Sequence, residues 1–270
     1  MSVVIATTAV VDPRAQLGEG VRVGHFSVIG PDAKIGDRTL IEEHVVVTGH
    51  TTIGEHNHIF PGTVIGAHPQ DTSYKNTPTK VIIGDNNVFR EHVTVNRATE
   101  KEDGITEIGN DNFLMASAHV AHDCRVGDRI VLANNTMLGG HARIGNDVTL
   151  AGGSGVSHFA SVGQLSFVSA MARVLHDVPP FTIVDGQPAR ARAVNTIGLK
   201  RHGYTQEDIK VLNAAHKLMY RARVGLDQAR ETIYSQGPIR PVIKHYFDCI
   251  ARSYSGNHGR GTDQRGKKAA

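Results

Sequence analysis

The chain is short of nearly everything that would mark a secreted, membrane-spanning or nucleic-acid-binding protein. Its 270 residues hold two cysteines, Cys124 and Cys249. That is too few for a disulfide framework, and they lack metal-ligand spacing, so the chain suits a reducing cytosol. No run of 18 apolar residues occurs, and the start Met1-Ser2-Val3-Val4-Ile5-Ala6 carries no charged leader. A soluble cytoplasmic protein with no transmembrane segment is therefore expected. Aromatic residues make up 5% of the chain, and no basic helix interleaves with them, so nucleic acid is not an expected partner. The net charge of +3 arises partly from the polar tail from His258 to Lys268. We expect that tail, residues 256–270, to be disordered.

What the chain does have is a period. Ile5, Val11, Leu17, Val23, Ile29, Ile35, Ile41, Val47, Ile53, Ile59 and Ile65 recur at a spacing of six, and glycine follows many of them. The pattern lapses over residues 67–80 and returns in phase at Ile83, Phe89 and Val95. After a second lapse over residues 96–107 it resumes, displaced by one, from Ile108 through Val120, Leu138 and Val156 to Val174. Both lapses read as loops thrown out of a regular ribbon. A period of six matches neither a helix nor a free strand, and glycine and β-branched residues disfavour helix throughout. It fits short strands broken by corners, with the aliphatic pointing inward and the following Gly or Asn absorbing a turn conformation. The fold expected is a parallel β-helix, in which each coil buries its aliphatics against its neighbours.

Hexads of this form, an aliphatic followed by Gly and four further residues, resemble those of the hexapeptide-repeat acyltransferases. The resemblance runs from about Ile5 to Val178 and implies a left-handed, three-sided parallel β-helix that assembles as a homotrimer. Beyond Asp177-Val178-Pro179-Pro180 the period stops, since prolines remove ladder donors. Asp185-Gly186-Gln187-Pro188-Ala189 reads as an exit loop. Thr205 and Asp208 make a capping box ahead of Ile209, Leu212, Ala215, His216 and Met219 at helical spacing. Pro238 and Pro241 open a last helix through Tyr246 and Ile250. The division expected is residues 1–190 as β-helix and 191–255 as a small α-helical cap closing the coil stack.

In a coil of three sides, positions 18 apart lie above one another at about 4.8 Å. His122, Gly140 and His158 then form one column: a base, a backbone amide without a side chain, and a second imidazole. Acyl transfer to a hydroxyl needs a base near neutral pKa and a donor for the developing oxyanion. No covalent nucleophile is needed if the acyl group arrives as a thioester. Cys124 reads as a small buried thiol, and His25, His44, His50, His56 and His58 read as surface or corner residues.

His119-Val120-Ala121-His122-Asp123-Cys124 is followed by Leu132-Ala133-Asn134-Asn135, Gly140-His141, Asp177-Val178-Pro179-Pro180, and Asn195 ahead of Gly198-Leu199-Lys200-Arg201. In that order these motifs resemble the acyl-carrier-protein-dependent UDP-N-acetylglucosamine O-acyltransferases, which open lipid A synthesis. The resemblance implies transfer of a fatty acyl group, commonly 3-hydroxylated, from acylated acyl carrier protein to the 3-hydroxyl of UDP-N-acetylglucosamine, with no cofactor and no metal. It implies His122 as general base, Asp123 as its orienting carboxylate and Gly140 as oxyanion donor. His119, His141, Gln70 and Asp71 would line the substrate cleft, and Asn195 and Arg201 the nucleotide site. Arg190, Arg192, Lys200 and Arg201 are candidates for docking the acidic carrier protein.

The chain departs from the family pattern at several of these places. A family lysine falls on Ser73, with Lys75 two residues on. A His-Gln pair reads Ser157-His158, so one sugar or nucleotide contact is changed or shifted by one position there; a glutamate is replaced by Ile197, and a second arginine is His202. The stretch gauging acyl length reads Ala170, Met171 and Arg173. Two other enzymes remain open at this point: a zinc carbonic anhydrase on the same fold, which needs three imidazoles on one metal, and another hexapeptide acyltransferase acting on an amino sugar or using CoA. A purely structural β-helix would leave the His122–Gly140 column unexplained.

Overall fold

The computed structural model describes residues 2–255 and Gly259; the rest of the tail expected to be disordered lies outside the described residues. Strands mostly of two residues follow one another around three parallel sheets, starting at Val4–Ile5, Val10–Val11 and Gln16–Leu17 respectively. Val4 pairs with Arg22, Val10 with Val28 and Gln16 with Lys34, so one coil is 18 residues and three-sided. The architecture is a left-handed parallel β-helix. In each two-residue strand the second residue is the hexad aliphatic, and from Val23 onward these form one continuous buried column through Val184. The first described coil is open: Ile5 is 44% exposed, with no described coil below it.

The glycines serve a different purpose from the one expected. The left-handed conformation recurs three residues after the aliphatic, at Arg38, His44, Asn86, Asp111, Asp123, Arg129, His141 and Phe159 among others, and apart from Gly66, where the first loop leaves the coil, the Gly directly after the aliphatic does not adopt it. That Gly is required by close approach instead. A Cβ on Gly36 would lie 2.6 Å from the carbonyl carbon of Gly54 and 2.9 Å from the amide of Glu55 in the next coil. The turn conformation is thus carried by polar and even aromatic residues at the next corner, and glycine marks the tightest coil-to-coil contact.

The coil also runs further than the proline pair suggests. Thr182–Gly186 pairs in parallel with Phe167–Val168, and Ala189–Val194 folds back antiparallel on it. The expected exit loop at residues 185–189 is therefore a β-hairpin turn, which covers an edge that would otherwise be left unpaired. The change from strand to helix falls between Val194 and Thr196, slightly past residue 190.

Among the described residues four helices follow: α1 (Thr196–Arg201), α2 (Gln206–His216, continued by a π turn Lys217–Arg221), α3 (Leu226–Tyr234) and α4 (Pro241–Tyr254). Thr205 and Asp208 form the reciprocal capping box at the start of α2, and Pro241 opens α4 at its first turn. Ile209, Leu212, Ala215, His216 and Met219 are all buried. With α3 and α4 they make a second core that takes in Leu165, Phe181 and Val194 from the last coils, which seats the helices on the end of the stack.

Candidate active site

The site lies at the corner between the second and third sheets, just after the strand His119–Val120. Two neighbouring columns meet there. His122, Gly140 and His158 each stand two residues past an aliphatic, and Asp123, His141 and Phe159 stand three past it, in the left-handed conformation (φ 61°, 64° and 61°). The coils are in register across the corner: the N–H of His141 donates to the carbonyl of His122 (3.0 Å), and that of Phe159 to the carbonyl of Gly140 (3.0 Å). A Cβ on Gly140 would lie 2.5 Å from Cε1 and 2.7 Å from Nε2 of His122, so the ring occupies the space that the missing side chain leaves. The ladder that takes up the N–H groups of Gly139 and His141 passes over that of Gly140 among the described residues.

Side chains of adjacent residues on a flat strand point to opposite faces. The corner removes that obstacle, because the positive φ of Asp123 swings its carboxylate beside the preceding ring. His122 Nδ1 is 2.7 Å from Asp123 Oδ2. A carboxylate only accepts, so Nδ1 carries the hydrogen and Nε2 presents its lone pair to the cleft. The Asp123 side chain is fully buried. It accepts from the Thr99 hydroxyl (2.7 Å) and the Thr99 amide (3.1 Å). Burial alone would raise its pKa; the bonds from His122 and Thr99 and the neighbouring His141 outweigh that and hold the carboxyl below its ordinary range.

Two loops close over the corner. From the first, Asp71 sets Oδ2 3.9 Å from His122 Nε2, while its Oδ1 accepts from the amide (2.9 Å) and hydroxyl (2.7 Å) of Ser73. The second contributes three residues that the sequence reading treated as mere loop: Thr99 on Asp123, Lys101 with Nζ 2.5 Å from Asp71 Oδ2, and Glu102 with Oε1 2.9 Å from His141 Nδ1. The cation on Asp71 is thus Lys101, and not Lys75. The charged run Glu100-Lys101-Glu102 was the available signal, but only the folded loop places it. His141 also stacks on Phe159, with centroids 4.3 Å apart and planes within 5°.

His119 projects from the second sheet, bonded through Nδ1 to Thr94 Oγ1 (2.8 Å). Burial first, and the nearby His122 second, lower its pKa and favour the neutral ring. It lines a groove of about 400 Å³ with Met137, Gly153, Gly155, Ser157, Met171 and Arg173. Three residues expected to sense the acyl chain or the sugar, Ser157, Met171 and Arg173, therefore share one groove with His119; Ala170 is exposed beside it. Gln70 is exposed on the first loop, and His158 borders the corner. Asn195 and Arg201 stand apart, on α1 beyond the coil. Asn195 caps that helix by accepting from the Gly198 amide (3.0 Å) and donates to the Leu165 carbonyl (2.9 Å), and Arg201 is exposed. His202 turns toward Asp147, 3.3 Å away. A larger cavity of about 670 Å³, between the third sheet and α4, contains none of the expected site residues.

His122, Asp123 and His141 come near enough to share a cation. Their donor set is two imidazoles and one carboxylate, though, and the oxygen concerned already accepts from His122 and Thr99. Among the described residues three imidazoles, as the carbonic anhydrase alternative needs, do not converge: His119 is bonded to Thr94 on the sheet face. Cys124 is buried, its thiol pushed up to about 12 by burial, and it is no nucleophile.

Residues 14–49 and 105–140 match the bacterial transferase hexapeptide family, and residues 177–261 match the second domain of UDP-N-acetylglucosamine O-acyltransferase. An acyl-[acyl-carrier-protein]–UDP-N-acetylglucosamine O-acyltransferase of Thiobacillus denitrificans is 44% identical over 93% of this chain and 98% of the relative. One of Stenotrophomonas maltophilia is 45% identical over 91% and 94%. Among solved structures, that of the Acinetobacter baumannii enzyme superposes with a TM-score of 0.89 at 37% identity, covering 93% of this chain and 97% of the other. The chain belongs to the family of acyl-[acyl-carrier-protein]–UDP-N-acetylglucosamine O-acyltransferases.

Proposed function

We propose that the protein transfers a fatty acyl group from acyl carrier protein to the 3-hydroxyl of UDP-N-acetylglucosamine, the step that opens lipid A synthesis, with His122 as the general base. The observation that carries the mechanism is the His122–Asp123 pair at 2.7 Å beneath the side-chain-free Gly140. Nε2 of His122 takes the proton of the sugar hydroxyl as its oxygen attacks the thioester carbonyl. The oxyanion of the tetrahedral intermediate receives the N–H of Gly140. When the intermediate collapses, the carrier thiolate leaves and the imidazolium returns a proton to it. Asp123 holds the tautomer and orientation, and His119, His141, Gln70 and Asp71 contact the acceptor. The groove at Ser157, Ala170, Met171 and Arg173 receives the acyl chain.

We further infer a homotrimer located in the cytoplasm. The outward residues of the first sheet include Leu40, Val88, Phe113, Val131 and Phe167, and those of the second Val10, Val28, Val46, Val64 and Met137; the third presents Lys34, Glu107, Arg125 and Arg143. Two mainly apolar faces and one mainly polar face suit a closed ring in which the first sheet of one subunit meets the second of the next. In that ring we assign Asn195 and Arg201 to the nucleotide part of a site completed by a neighbouring subunit. Arg190 and Arg192 on the hairpin and Lys200 and Arg201 on α1 are exposed and gather at the helical end, where an acidic carrier would dock. Among the described residues no helix is long and apolar enough to cross a membrane, and both thiols are free.

The test is transfer of a mass-tagged acyl chain from a panel of carrier-protein thioesters to UDP-N-acetylglucosamine. Product from the intact protein, with a fall of about a hundredfold or more in His122→Ala, is the expected result. Full activity in that variant would remove the mechanism.

A further inference from the structure

We propose that Lys101, from the second loop, is the positioning cation of the acceptor site: it anchors Asp71 and neutralises it beside His122, standing in for the lysine that this chain lacks at Ser73. The inference rests on the acyl-transfer reading above.

Asp71 Oδ2 is shared by two groups. Lys101 Nζ is 2.5 Å from it and His122 Nε2 is 3.9 Å from it. The other oxygen is held by the amide and hydroxyl of Ser73, so the residue at the family's lysine position orients the carboxylate without offsetting its charge. Without Lys101, His122 would lie between two uncompensated carboxylates, Asp123 on Nδ1 and Asp71 facing Nε2. The other titratable groups around the ring are His141, edge-on with centroids 5.4 Å apart and itself held by Glu102, and His119. Neither offsets the charge of Asp71. A base flanked in this way holds its proton more tightly and yields less free Nε2 at a given pH. Lys101 removes that burden, and it also keeps the carboxylate ionised and fixed for the sugar: the ammonium, ahead of Ser73, holds the Asp71 carboxyl well below the usual range. A loop 30 residues downstream of Asp71 thus supplies the cation on this carboxylate.

The experiment measures kcat/KM against pH for the intact protein, Lys101→Met, Lys101→Arg and the double variant Lys101→Met/Asp71→Asn, and follows the His122 ring by NMR on the free proteins. Lys101→Met should move the acid limb upward by about one pH unit, the low end for a carboxylate at this distance. Lys101→Arg should leave the limb in place, and the double variant should return it. The NMR titration should move in parallel and needs no substrate. An unmoved limb and an unmoved His122 titration in Lys101→Met, whatever happens to KM, would overturn the proposal. A failure of the intact protein to acylate UDP-N-acetylglucosamine would instead overturn the functional reading, and the NMR series would still decide the role of Lys101.

Discussion

Gly140→Ala separates the proposed general-base role of His122 from a merely structural coil corner. Gly140 does not have the positive φ that would strain alanine, so the backbone accepts the change. The whole cost falls on the His122 ring, where the new Cβ would stand 2.5 Å from Cε1 and 2.7 Å from Nε2. Ordinary contact begins near 3.4 Å, so the ring must retreat by about 1 Å. It cannot do so and keep its 2.7 Å bond to Asp123, whose carboxylate is locked by Thr99. A misplacement of about 1 Å costs on the order of a hundredfold in rate, about 2.7 kcal/mol of barrier. Steady-state kinetics should therefore show kcat down about a hundredfold, KM for the sugar nucleotide changed far less, and Tm within a few degrees of the parent. Gly152→Ala is the control: the nearest atom to its Cβ would be the Asn134 carbonyl oxygen at 3.5 Å, and no catalytic side chain is touched. A threefold or smaller loss of kcat in Gly140→Ala would show that the ring position does not govern the reaction.

Gly36→Ala should lower Tm by several degrees without touching the site, because its Cβ would press on the Gly54–Glu55 backbone, a cost of about 1–3 kcal/mol. Asn195→Ala should lose about 1 kcal/mol of stability in denaturant titration through the lost α1 cap; weaker binding of UDP-N-acetylglucosamine beyond that loss would assign it a nucleotide contact as well. The carboxyls of Asp123 and Asp71 are depressed in the fold, so the stability they contribute is present above about pH 4 and lost as pH falls through their lower folded values. Asp123→Asn should accordingly flatten the acid side of a Tm-against-pH curve, and an unchanged slope would count against the depressed carboxyl. If the exposed arginines on the hairpin and α1 dock the carrier, its KM should rise with ionic strength; a flat salt dependence would remove that surface. Light scattering should return three times the chain mass, and a monomer would refute the closed ring.

The coil was legible in the chain because its period is a direct image of its geometry. One inward aliphatic per side repeats every six residues, so counting spacing located the strands and the two loops. With the three sides that the family resemblance implied, the His122–Gly140–His158 column followed from arithmetic on that repeat. The hairpin did not follow, because the prolines at 179 and 180 break the period and yet the next strand still pairs with Phe167–Val168. Nor did the reason for the glycines, since a close approach between coils leaves the same residue in the sequence as a left-handed turn.

Sequence by itself determined the β-helix and the family resemblance, which depend on local residue type and fixed spacing, and within that frame it set His122 and Gly140 in one column. Tertiary structure alone decided which groups surround His122. The corner conformation of Asp123 lets adjacent side chains meet, and the two loops bring Asp71, Thr99, Lys101 and Glu102 onto His122, Asp123 and His141 from up to 51 positions away in the chain. Loops carry no period, so where their charges land is set by how they fold over the coil.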